Sequence, residues 1–153
     1  MKKKSWTEKL NDKKDFPKVE PITDKMSKRW GKGTIVIPAP MEVYDLMARV
    51  PEGRVVTIND IRSALAKRHG ATIGCPICTG IFARIAASAS VEGKGIKKIP
   101  YWRILKVGGV INEKYPGGAE VQKKLLEIEG HTVRKRGSRY VVQDYSERLA
   151  KFG

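Results

Sequence analysis

The sequence has few cysteines, few acidic side chains and no long apolar run. Only two of its 153 residues are Cys. That is too few for the disulfide framework of a small secreted domain, and it fits a reducing compartment. No apolar stretch approaches the roughly 20 residues a membrane-spanning helix needs. The opening MKKKSWTEKL is basic but has no apolar segment behind it, unlike a secretory signal. A cytoplasmic protein without a membrane partner is therefore expected. No internal repeat is present. The Gly-rich VEGKGIKK lacks the spacing of a phosphate loop, so no nucleotide cofactor is implied. Asp and Glu number 16 against 31 Lys and Arg, a formal net charge of +15. Such an excess repels itself and attracts polyanions, most commonly nucleic acid. The 41% hydrophobic content suffices for one core.

Residues 1–32 differ from the rest. They are Lys-rich, carry two prolines and show little sustained periodicity. They read as a basic extension: a solvated tail, a strap held on the core by Trp6, Phe16 and Trp30, or an arm lying on DNA. Composition does not separate these. From residue 33 to 153 the pattern tightens into a mainly α domain with small β elements. Thr34–Ile37 reads as a strand. Val43, Leu46, Met47 and Val50 recur at helical spacing. Thr57 and Asp60 form a capping pair for a second helix that buries Ile58, Ile61, Ala64 and Leu65 and stops near Gly70. ATIGCPICTG reads as a loop. A third helix follows, then a ribbon turning at Gly108 and Gly109. The last helix, from about Ala119, is expected to bury Val121, Leu125 and Ile128. A basic hairpin turns at Gly137 and Ser138. Two helices joined by a loop and followed by a ribbon predict a winged helix-turn-helix.

On the third helix, Ile81, Phe82, Ile85, Ala86 and Ala89 form an apolar stripe expected to face inward. The other side then carries Gly80, Ala83, Arg84, Ala87 and Ser88. Small residues allow close approach of a partner. One long cation among them suits entry into a groove, or replacement of an unstacked base. Packing on another helix is the plain alternative for such a face.

Five pieces between Val50 and His131, namely VPEGRVVT, ARIAASAS, IPYWR, YPGG and LLEIEGH, resemble in order the C-terminal domain of the alkylguanine-DNA alkyltransferases. The resemblance covers a little over half of the chain. It implies a winged helix-turn-helix that enters the minor groove of double-stranded DNA, with Thr57 among the DNA-binding residues and Arg84 replacing a flipped guanine. It implies a lesion pocket formed by Pro100, Tyr101, Trp102, Arg103, Tyr115, Pro116, Gly117 and Glu129. In that family a Cys at the position of Tyr101 accepts the alkyl group, and a His at the position of Trp102 works with a Glu, here Glu129, to activate the thiol. Here both nucleophile and base are replaced. A phenol with a pKa of about 10 is mostly neutral at pH 7 and has no base beside it. The resemblance is thus to the alkyltransferase-like subclass, which lacks the Cys and binds lesions without repairing them. Ile58 stands where the repair enzymes carry a Tyr that helps rotate the nucleotide, and Pro116 where they carry a Ser.

Cys75 and Cys78 form a CxxC with His69 near in sequence. This is an incomplete zinc set, a redox pair, or simply two thiols shaping a loop. His131 is expected to cap a helix C-terminus as a partly charged group. Arg134, Lys135, Arg136 and Arg139 offer a wing for phosphates, or a solvated face. The leading expectation is a non-enzymatic sensor of O6-alkylguanine in duplex DNA that hands the lesion to a repair-pathway protein. The alternatives are a winged-helix module for undamaged DNA or protein, and an enzyme with unfamiliar chemistry at Tyr101 or Cys78.

Overall fold

A computed structural model describes residues 4–152. The extension contributes structure from Trp6 onward. Helix α1 (Trp6–Asn11) is followed by strand β1 (Lys18–Pro21) and helix α2 (Asp24–Trp30). Strand β2 (Thr34–Ile37) pairs antiparallel with β1, and α3 (Pro40–Ala48) follows. Leu10 of α1 is fully buried in the main core beside Val43 and Met47 of α3. Phe16 meets Phe82, their ring centroids 6.2 Å apart. Helix α1 and Phe16 therefore lie over the core as a strap.

Helix α4 (Ile58–His69) begins in a capping box. The Thr57 and Asp60 side chains each accept from the other's backbone N–H, and Gly70 closes the helix in the left-handed conformation. ATIGCPICTG is not a plain loop. Ile73–Gly74 forms strand β4, parallel to β2, and helix α5 (Pro76–Glu92) starts directly after Cys75. Two residues of strand are too few for a period-2 pattern to register. Gly74 is required there because a Cβ would meet the Arg62 carbonyl oxygen at 2.6 Å.

The faces of α5 differ from the sequence expectation. Ala83, Ala86, Ala87, Ser88, Ala89 and Ser90 are all buried, while Ile77 and Ile81 are each more than half exposed. Ala83, Ala87 and Ser88, expected on the DNA-facing side, are therefore not on the exposed face. Their short side chains let α1 and α3 close on α5. The open face carries Ile77, Gly80, Ile81, Arg84 and Val91.

Strand β3 (Val56–Thr57) pairs parallel with β5 (Ile104–Leu105). After the turn at Val107–Gly109, a bridge from Val110 to Val141 joins the ribbon to the hairpin β6 (Val133–Arg136) and β7 (Arg139–Val142). Helix α6 (Gly118–Ile128) is also rotated relative to expectation. Val121 and Ile128 are exposed, whereas Gln122 and Leu126 are fully buried. Gln122 is stable inside because its amide is matched. Its Oε1 accepts from the Asn112 N–H at 2.9 Å, and its Nε2 donates to the Trp102 and Ile104 carbonyls at 3.0 and 3.3 Å. Among the described residues no helix is long and apolar enough to cross a membrane.

Candidate nucleic-acid interface

The short 3-10 turn Tyr101–Arg103 lies between α5 and α6 and is held from below by one carboxylate. Glu129 Oε2 accepts from Arg103 Nη2 at 2.6 Å and from the Trp102 indole Nε1 at 3.1 Å. Its Oε1 accepts from Arg103 Nε at 2.9 Å and from the Gly53 N–H at 3.4 Å. Arg103 Nη1 donates to the Val50 carbonyl at 2.6 Å. Burial pushes the Glu129 pKa up, but the Arg103 and Trp102 hydrogen bonds outweigh it and hold the carboxyl below its ordinary value. The indole gives Glu129 the N–H that an imidazole would give, but it has no ring lone pair with which to take a proton.

Tyr101 is buried, and its hydroxyl donates to the Pro116 carbonyl at 3.2 Å. Its ring stands edge-on to Trp102 and Tyr115, with centroids 5.5 and 5.7 Å away. Burial raises its pKa, so the phenol stays protonated at neutral pH. Tyr115 is buried as well, with its hydroxyl pKa raised by the same cause. Gly117 turns the loop into α6 at φ +85°, where a Cβ would lie 2.6 Å from Val121 Cγ2.

Two openings flank this arrangement. A cleft of about 470 Å³ is walled by Ser90, Val91, Ile99, Pro100, Tyr101, Trp102 and Arg103, together with Ala48 and Lys98. It is open beside Tyr101, and Trp102 lines it rather than filling it. Tyr115, Pro116, Gly117 and Glu129, expected in one pocket with these residues, are not in its wall. A second cavity of about 300 Å³ lies between α5 and the segment after the ribbon. Ile58, Ile77, Ile81, Arg84, Asn112 and Tyr115 are among its lining residues.

Arg84 is exposed on α5, its guanidinium carbon 6.0 Å from the centre of the Trp6 ring. The strap thus reaches the one long cation of this helix face. No sequence signal marks that pairing, because 78 positions separate the two residues. Thr57 is buried, and its hydroxyl is occupied by Asp60 Oδ2 at 3.1 Å, so it serves as a cap and has no free group for a phosphate. Arg134, Lys135, Arg136 and Arg139 are exposed along the hairpin.

The remaining candidates are placed differently from expectation. His131 is buried rather than a charged cap. Burial, reinforced by Arg148, lowers its pKa and keeps the ring neutral. His69 Nε2 lies 2.6 Å from Glu42 Oε2, tying α4 to α3. Cys75 caps α5, its Sγ accepting from the Cys78 N–H at 3.3 Å. Burial, with the Cys75 contact, pushes the Cys78 thiol up to about 12, which leaves no thiolate nucleophile at neutral pH. Among the described residues no group of three or more His, Cys, Asp or Glu could hold a metal ion.

Helices with small sheets, arranged around an α4–α5 pair and a ribbon, make up the fold. The chain shares it with S. pombe Atl1, solved in complex with damaged DNA containing O6-carboxymethylguanine. The TM-score is 0.52 and the identity 21%, over 73% of this chain and 94% of that one. A second structure, S. pombe ATL in complex with DNA, aligns over the same shares at 21% identity with a TM-score of 0.49. No protein-family model and no curated protein sequence matches the chain.

Proposed function

We propose that this protein is a winged helix-turn-helix that binds alkylated duplex DNA through the minor groove and senses O6-alkylguanine without removing the alkyl group. The observation that carries the reading is the occupancy of the turn Tyr101–Arg103. A protonated phenol bonded to Pro116 stands at the nucleophile's position, and an indole bonded to Glu129 stands at the base's position. Neither side chain can generate or relay a nucleophile, so alkyl transfer has no agent. Groups suited to binding are nevertheless present. Arg84 stands exposed on α5, and Val91, seven residues further along, walls the open cleft beside Tyr101. At 1.5 Å of rise per residue that is about 10 Å along the helix. A base rotated out past Arg84 enters this cleft against Trp102, while the hairpin cations Arg134 and Arg136 rest on phosphates. A repair-pathway protein then acts on the marked site.

Incubation with an O6-methylguanine duplex, followed by intact-mass measurement and a salt titration of binding, tests this. The protein should gain no methyl group, and log Kd should rise with log salt by about 0.9 per phosphate neutralised. Stoichiometric methylation, or a binding constant indifferent to salt, would overturn it.

A further inference from the structure

A third cleft, of about 460 Å³, opens beside the start of α5. Its walls are Arg29 and Trp30 of α2, Arg62 of α4, and Ile73, Pro76 and Ile77. Helix α2 is unusual in burying no residue over its seven positions. A helix so short and so exposed has little intrinsic stability. It is fixed by its ends, where the Thr23 side chain accepts from the Met26 N–H and Gly31 closes the last turn. What it presents is charge of one sign. Lys25, Lys28 and Arg29, with Lys32 just beyond, face only Asp24 in sequence. Among the described residues none of these four cations has a carboxylate within ion-pair distance. Arg62 is pre-positioned, its Nε donating to the Gly74 carbonyl at 3.0 Å and its Nη1 to Asn59 Oδ1 at 2.8 Å.

This cleft is continuous with the surface proposed for DNA. Pro76 and Ile77 wall it on one side and wall the Arg84 cavity on the other. We propose that it takes a phosphodiester segment of the same duplex that α5 enters, with Arg29 and Arg62 on phosphate oxygens and Trp30 against the sugar. The proposal rests on the DNA-binding reading and extends it to the strap. Guanidinium forks match phosphate geometry, and the positive end of the α5 dipole adds to the attraction. An acidic protein is the other polyanion such a surface could meet. Continuity with the α5 face favours the duplex.

The test compares wild type with Arg29→Ala and with Lys28→Ala/Arg29→Ala, by fluorescence anisotropy on damaged and undamaged duplexes across a salt series. Because α2 buries nothing, the variants should keep the wild-type Tm. Kd should rise by the same factor on both duplexes, and the salt slope should fall by roughly 0.9 for each phosphate no longer neutralised. Arg29→Lys should weaken binding less than Arg29→Ala, because it keeps the charge and loses the fork. Unchanged Kd and slope, on duplexes that wild type binds and Arg84→Ala still perturbs, would overturn the cleft and leave the α5 reading standing. A weakening confined to the damaged duplex would overturn it too. If wild type binds neither duplex, both readings fall together.

Discussion

Replacing Glu129 by alanine removes the acceptor for four hydrogen-bonded N–H groups at once. The Arg103 guanidinium would keep only the Val50 carbonyl, and it is largely buried, with 13% of its side chain exposed against 6% for Glu129. Removing one partner of a buried pair leaves an uncompensated charge, which costs about 3–5 kcal/mol. That is a large share of the roughly 5–15 kcal/mol that stabilises an ordinary domain. For about 150 residues, each kcal/mol moves Tm by roughly 2–4 °C, so a fall of about 6–20 °C is expected. The pH dependence adds a sign. The folded pKa of Glu129 is depressed, so its contribution is fully present above the unfolded value of about 4.3 and is lost as pH falls through the lower folded value. Glu129→Ala should therefore flatten the acid limb of the stability curve below about pH 4. Urea denaturation across pH, alongside DNA binding corrected for the folded fraction, is the assay. A wild-type Tm in Glu129→Ala would refute the anchoring role.

Three other substitutions probe the same region. Arg84→Ala should weaken binding to a flippable lesion more than binding to intact duplex, because a flipped base then leaves a gap costing a few kcal/mol with nothing to fill it; an equal weakening on both duplexes would make Arg84 a phosphate contact only. Tyr101→Cys should not restore methyl transfer, since Trp102 cannot take the thiol proton; rapid methylation seen by mass spectrometry would show that another base serves the site. Gln122→Leu strands the Asn112 N–H and two carbonyls around α6, costing about 1–3 kcal/mol for the N–H alone; a urea midpoint at the wild-type value would contradict this.

The order of helices, ribbon and hairpin was legible because capping residues, turn glycines and apolar spacing mark it locally. The Thr57–Asp60 box and the Gly70 stop lie where the sequence places them. The faces of α5 and α6 were not legible, for two physical reasons. Helix α5 is small or apolar nearly all round, so periodicity does not choose a side, and the alanines win the interior because only they allow α1 and α3 to approach closely. In α6 a glutamine is drawn inside by backbone groups of segments 10 to 20 residues away, which no local pattern encodes. The strap was ambiguous for a related reason. Its anchors, Leu10 in the core and Trp6 beside Arg84, are single residues in a charged background. At the site, the exchanges at Tyr101 and Trp102 were visible as residue types, but the bonds of those side chains to Pro116 and Glu129 required coordinates.

Recognition of an alkylated base is decided by the ratio of dissociation constants for two matched duplexes. The duplexes differ only in one O6-methylguanine and are measured by competition at one fixed salt concentration. A lesion sensor should bind the methylated duplex more tightly. Equal constants would rule that role out and favour the reading of a winged-helix module for undamaged DNA.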